Sequence, residues 1–120
     1  MGQPVLYWQI LSKQPAKLAE FYGSIFGWNI EPADAIGSRA VSTGSPEGIP
    51  GGIWQIPPEG HSMVQLFIRV EDVGAYVRKV EAGGGKVVFP PQVIPNGDEV
   101  SILMDPEGIP FGIFRASKKS

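Results

Sequence analysis

The spacing of apolar positions switches from strand-like to helix-like and back along the first half of this chain, and the second half repeats the pattern. Val5 to Leu11 is a mostly apolar run broken only by Gln9, a strand by length and composition. Pro15 is suited to a first helical position, where the missing N–H is an orphan donor anyway. Leu18, Phe21, Tyr22 and Ile25 then recur at spacings of three and four, which predicts one helical face ending at Gly27. Trp28 to Ile30, Ser38 to Thr43 and Gly52 to Ile56 follow as three short strands, the first stopping near Pro32.

The same order returns from Val64. Val64 to Val70 reads as a strand and Asp72 as a helix N-cap. Val73, Tyr76, Val77 and Val80 form the next helical stripe, ended by Gly83-Gly84-Gly85. Lys86 to Phe89, stopped by Pro90-Pro91, then Glu99 to Met104 and Phe111 to Phe114 complete the set. Each half therefore predicts strand–helix–strand–strand–strand.

The duplication is written into the letters as well. Pro46-Glu47-Gly48-Ile49-Pro50 recurs as Pro106-Glu107-Gly108-Ile109-Pro110, and Gly52-Ile53-Trp54 is answered by Gly112-Ile113-Phe114. Self-similarity at a fixed offset marks a unit used twice. Gly27 and Gly85 end the helices, and Pro32 and Pro90 follow the next strands, at an offset of 58 residues. Pro57-Pro58-Glu59-Gly60 is the natural joint, so the expected organisation is one domain built from two modules, 1–58 and 59–120.

Bulk properties narrow the chemistry. The 120 residues are 42% hydrophobic, enough for a core in one domain without staples. The chain has no cysteine, which excludes disulfides, zinc–thiolate sites and thiol nucleophiles. A net charge of −2 supplies no field to gather nucleic acid or an anionic membrane. No apolar run approaches the ~20 residues of a membrane span, and the start lacks the basic and apolar regions of a signal peptide. Met1-Gly2 is not a myristoylation signal, because Leu6 stands where Ser or Thr is required. The expectation is a cytoplasmic protein with no nucleic-acid or membrane partner; Lys118 and Lys119 read as a solubilising tail.

No catalytic constellation emerges from the titratable residues. His61 is the single histidine and lies in a loop between Gly60 and Ser62. It lacks the activated hydroxyl and orienting carboxylate of a triad. Glu47 and Glu107 each sit in a turn between prolines, Asp105 is placed to accept backbone N–H groups, and Asp98 and Glu99 flank the Asn96-Gly97 turn. Gly83-Gly84-Gly85 follows a helix rather than opening one, so it is not a phosphate loop.

A duplicated βαβββ module of this size resembles the vicinal oxygen chelate superfamily, the glyoxalase/bleomycin-resistance/dioxygenase proteins. The resemblance is carried by Phe21 to Trp28 at the first helix exit, by Val70-Glu71-Asp72-Val73, by Gly84-Gly85-Lys86-Val87 with Pro90-Pro91, and by the Asp105-Pro106-Glu107-Gly108 turn. It implies an α+β fold in which two modules form an incomplete barrel around a cleft, and it implies homodimers. Metal-dependent members take two ligands from each module, on its first and last strands. Those positions correspond here to Tyr7 and Gln65, to Gly112, and to either Gly52 or Trp54. None is a His or Glu, so no metal and no cofactor are expected.

Strand alternation places Tyr7 and Gln9 on one face and Gln65, Phe67 and Arg69 on another. With Trp54, or Gln55 if that is the residue that faces in, they make the candidate ligand-pocket residues, an aromatic and amide lining suited to a small molecule. Trp8 points the opposite way, toward a helix. The expected function is metal-independent binding of a small aromatic or polyketide-like molecule. The alternatives are a superfamily enzyme (lyase, isomerase or oxygenase) and a non-catalytic accessory or dimerisation domain.

Overall fold

A computed structural model of the chain describes residues 2–117; the Lys118-Lys119 tail lies outside the described residues. The fold is α+β, with two helices and eight strands among the described residues. Contacts divide the chain into two compact units. One is Leu6–Gln65; the other joins the N-terminal residues up to Val5 with the chain from Leu66 onward.

In the first unit, β1 (Val5–Ser12) leads to α1 (Pro15–Phe26), then β2 (Asn29–Ile30), β3 (Ser38–Ser42) and β4 (Gly51–Gln55). The strand order is β2-β3-β4-β1, with β1 parallel to β4 and the other pairs antiparallel. Pro15 opens α1, and the Ser12 hydroxyl accepts the Gln14 N–H at 3.0 Å just before it. Gly27 closes the helix at φ 72°, a left-handed conformation that only glycine adopts without strain.

The packing of α1 departs from the predicted stripe. Tyr22 stacks on Trp28 at 5.2 Å and 7°, and Trp28 meets Trp8 of β1 at 5.4 Å. This aromatic stack orients the helix, and it leaves Phe21 51% and Ile25 57% exposed. The Trp8 indole donates to the Ile49 carbonyl at 3.1 Å, and its ring occupies the space above Gly51.

The strand β5 (Met63–Arg69) begins in the first unit and enters the second at Leu66, followed there by α2 (Val73–Ala82), β6 (Lys86–Val93), β7 (Glu99–Met104) and β8 (Pro110–Arg115). The order is β5-β8-β7-β6, with β5 parallel to β8. Residues before β1 are tied to this unit, the Arg69 N–H donating to the Pro4 carbonyl at 3.0 Å. Asp72 caps α2 by accepting the Ala75 N–H at 3.0 Å. Val70, Val73, Leu103 and Ile113 form the buried core, with Tyr76, Val77 and Val80 packed on it, so this helical stripe is the predicted one.

One strand is longer than its sequence suggests. Pro90 and Pro91 do not stop β6, which continues to Val93. They fall where the register with β7 shifts, between Phe89 and Gln92. Among the described residues β6 is the outer strand of the sheet, and an outer strand tolerates prolines at such an irregularity.

The repeated pentapeptide precedes β4 and β8 but is held differently in each copy. Asp105 Oδ1 accepts both the Glu107 and Ile109 N–H groups at 2.9 Å, and Gly108 takes φ 91°. Ser45 Oγ accepts only the Glu47 N–H, at 3.2 Å, and Gly48 has no positive φ.

Candidate functional site

Each unit covers one sheet face with its helix side and leaves the other face to a separate set of residues. In the first unit α1 and Trp28 lie on the Trp8 side. Alternation then puts Tyr7, Gln9 and Leu11 on the opposite face of β1. The register pairs Gln9 with Gly52 and Leu11 with Trp54. Ser38 and Ala40 continue that face across β3, opposite Trp54 and Gly52.

In the second unit α2 packs on the side of Leu103 and Ile113. The other face carries Phe67 and Arg69 of β5, and Gln65, the last residue of the first unit, points the same way along that strand. Phe67 pairs with Gly112 and Arg69 with Phe114; Ile102 and Val100 face them from β7. Gln9 and Phe67 hold equivalent places in the repeat, so this register makes Gly52 the counterpart of Gly112, and Trp54 the counterpart of Phe114.

The two glycines share a further property. A side chain at Gly52 would collide with the Tyr7 hydroxyl, and one at Gly112 would collide with the ring of Phe67. An aromatic side chain from the first strand therefore lies across a bare backbone on the last strand in both units. Phe67 is 6% exposed.

Burial differs sharply among the remaining candidates. Gln9 and Gln65 are each 5% exposed, low values for an uncharged polar side chain. The Gln65 Oε1 atom is enclosed and has no hydrogen-bond partner among the described residues. Trp54 is half-buried, whereas Arg69 is exposed and meets solvent. His61, Glu47 and Glu107 are also exposed.

Among the described residues Tyr7 carries the one clear electrostatic perturbation. Burial, and secondarily the Asp34 carboxylate, push its hydroxyl above the ordinary value of 10.0. Asp34 is itself fixed in the loop before β3, its Oδ1 accepting the Ile36 and Ser38 N–H groups at 3.0 and 2.9 Å. Tyr7 is thus held as a neutral phenol, able to donate a hydrogen bond but disfavoured as a phenolate.

The four positions that correspond to metal ligands do not fit a divalent ion. Gly52 and Gly112 have no donor side chain, and aromatic groups fill the space beside them. Tyr7 would have to ionise against its surroundings, and a single carboxamide at Gln65 is a weak ligand. Among the described residues no three His, Cys, Asp or Glu side chains gather elsewhere. A shallow groove of about 220 Å³ lies between Gly84, Lys86, Met104 and the Asp105–Gly108 turn. Its Asp105 Oδ1 already serves the backbone of that turn.

Alternation along each strand was legible beforehand, but strand pairing was not. The sequence reading therefore missed Leu11, Ser38 and Ala40 on the sheet face of Tyr7, and Val100, Ile102 and Phe114 on that of Phe67. It also missed Asp34, which is remote in sequence and identified only by its effect on Tyr7.

With this geometry in hand, comparison with known proteins is informative. The family model described as Glyoxalase-like domain matches residues 9–114. The protein named "Putative glyoxylase CFP32" from Mycobacterium bovis is 30% identical over 116 residues, covering 82% of this chain. The same holds for its namesake in Mycobacterium tuberculosis. The chain spans 40% of the length of these curated relatives.

Solved structures agree at the level of fold. The Mn(II)-bound glyoxalase from Novosphingobium aromaticivorans superposes with a TM-score of 0.68 at 19% identity, over 98% of this chain and 42% of that one. Methylmalonyl-CoA epimerase from Mycobacterium tuberculosis gives 0.66 at 16% identity, over 98% and 94%. Among the described residues no helix is long and apolar enough to cross a membrane.

Proposed function

Because this chain belongs to the glyoxalase-like domain family, we propose that it binds a small aromatic or polyketide-like molecule and does so without a metal ion. The observation that carries the reading is that two of the four donor positions are glycines, each lying under an aromatic side chain, Gly52 under Tyr7 and Gly112 under Phe67. Aromatic surface and buried amides are what a planar organic ligand requires: the former for stacking, the latter for orientation. Tyr7, Gln9, Trp54, Gln65, Phe67 and Arg69 are the residues proposed to contact it. Arg69, being exposed, acts at the edge.

The similar solved proteins include a manganese-bound glyoxalase and an epimerase. Metal-centred chemistry of the first kind does not transfer, because the donor set here does not support it. Two measurements on the purified chain test the proposal. Elemental analysis is expected to find manganese, zinc, nickel and iron far below one equivalent. A thermal-shift screen of aromatic and polyketide compounds is expected to yield stabilising ligands, worth about 2.7 kcal/mol at a hundred times Kd. Stoichiometric metal would reject the metal-free part; a screen in which nothing stabilises the fold would reject the binding part.

A homodimer belongs to the same proposal. Phe21, Ile25 and Phe26 of α1 are all more than half exposed, at 51, 57 and 60%. A second copy burying such side chains would remove apolar surface from water. Light scattering is expected to return twice the 12.9 kDa chain mass; a monomer at micromolar concentration would reject this part alone.

A further inference from the structure

Among the described residues, two enclosed side-chain polar atoms lack a hydrogen-bond partner, Arg39 Nε and Gln65 Oε1. Arg39 is only half-buried, so the rest of its guanidinium can stay hydrated. Gln65 is different: the whole residue is 5% exposed, and its carbonyl oxygen is an acceptor with nothing to accept. A buried acceptor left without a partner is destabilising, while an apolar side chain of the same shape would be neutral or stabilising there. For folding alone, Leu or Met would serve better at this position.

We propose that Gln65 Oε1 accepts a hydrogen bond from a neutral N–H or O–H group of the bound molecule. This fixes the ligand class as a planar, donor-bearing compound, such as a phenol or a lactam, rather than one that offers only acceptors. The inference rests on the small-molecule reading above. Its surroundings fit the role. Phe67, an aromatic side chain, follows two residues later on the same face of β5. The terminal torsion of a glutamine is broad and roughly two-fold, so the carboxamide turns toward a donor without movement of the strand.

Matched probes separate this from simple apolar binding. 1-Naphthol is compared with 1-methoxynaphthalene, and 2-quinolone with N-methyl-2-quinolone, by calorimetric titration of wild type, Gln65→Leu and Gln65→Met. Wild type is expected to prefer each donor-bearing member about tenfold, the size of one buried hydrogen bond. Both variants are expected to lose that preference, binding the two members of each pair with affinities within about twofold of one another. Their urea midpoints are expected to match or exceed that of wild type.

Equal affinity of wild type for both members of each pair overturns the assignment, as does a preference that survives in the variants. A Gln65→Leu protein with a clearly lower urea midpoint also overturns it, since the oxygen would then be partnered in the free protein. If none of the four probes binds, the assignment falls, and the small-molecule reading stands or falls on the wider screen alone.

Discussion

The hydroxyl of Tyr7 lies where a side chain on Gly52 would begin, one strand away in the same sheet. The ring of Phe67, the counterpart of Gln9 in the repeat, lies likewise over Gly112, the counterpart of Gly52. The two contacts differ in what would have to move. Over Gly52 it is mainly the tip of a tyrosine, whereas over Gly112 it is the flank of a ring that is 6% exposed. The duplicated pattern is therefore not equally rigid in its two copies.

That difference predicts unequal costs for the same substitution. Gly112→Ala forces Phe67 out of its bed and should destabilise by about 1–3 kcal/mol. Gly52→Ala displaces the tip of Tyr7, the end of the ring that carries the hydroxyl. It also gains about 0.4–1 kcal/mol by restricting the unfolded chain, so its net cost should be under about 1 kcal/mol. Urea unfolding of the two variants checks this; equal losses would show that the ring over Gly112 moves as freely as the hydroxyl.

Tyr7 should also leave a signature in the alkaline limb of stability. Burial first, and Asp34 second, hold its hydroxyl above 10.0 in the folded state, against about 10 when unfolded. The folded protein keeps this proton longer than the unfolded one. Its contribution is therefore full below about pH 10 and is lost as pH rises through the folded value. Tyr7→Phe removes the titration, so its urea midpoint should fall less than that of wild type between about pH 9 and about pH 11. Parallel curves would remove Tyr7 from the account.

How far the sequence could be read depended on whether local or distant contacts decided each feature. The stripe of Val73, Tyr76, Val77 and Val80 reads true because α2 sits on a single apolar core. The stripe of Leu18, Phe21, Tyr22 and Ile25 does not, because α1 is oriented by Trp28 and Trp8, the latter from a different element. Pro90 and Pro91 looked like a strand end, yet the outer strand of a sheet tolerates them where its register shifts. At the site, the period-two alternation separated Tyr7 and Gln9 from Trp8. The parallel pairing that brings Gly52 to Gln9 and Gly112 to Phe67 has no local signal. The enclosed, unpartnered oxygen of Gln65 has none either.

The two copies of Pro-Glu-Gly-Ile-Pro illustrate the same limit and yield a prediction. Identical letters close differently because the preceding residue differs: Asp105 accepts two backbone N–H groups and Ser45 accepts one. Asp105→Ala leaves two donors without their charged acceptor and should cost about 2 kcal/mol. Ser45→Ala loses one exposed, neutral bond and should cost under about 1 kcal/mol. Matching losses in urea titrations would mean that the Asp105 carboxylate does not hold its turn.

The core of the second unit offers the sharpest internal control, because two leucines there stand in opposite environments. Leu103 of β7 is 0% exposed and packs in the cluster with Val70, Val73 and Ile113 beneath α2. Leu66 of β5 is 52% exposed. Truncating Leu103 to Ala removes its apolar burial and leaves a cavity that the β-sheet and α2 cannot fully close, at a cost of about 2–5 kcal/mol. The same truncation at Leu66 should cost less than about 1 kcal/mol, since that side chain is already half in water. Unfolding of both variants by urea, followed by circular dichroism, measures the difference directly. A Leu66→Ala loss as large as that of Leu103→Ala would mean that Leu66 is covered in solution, and the homodimer proposed above would then be its first explanation.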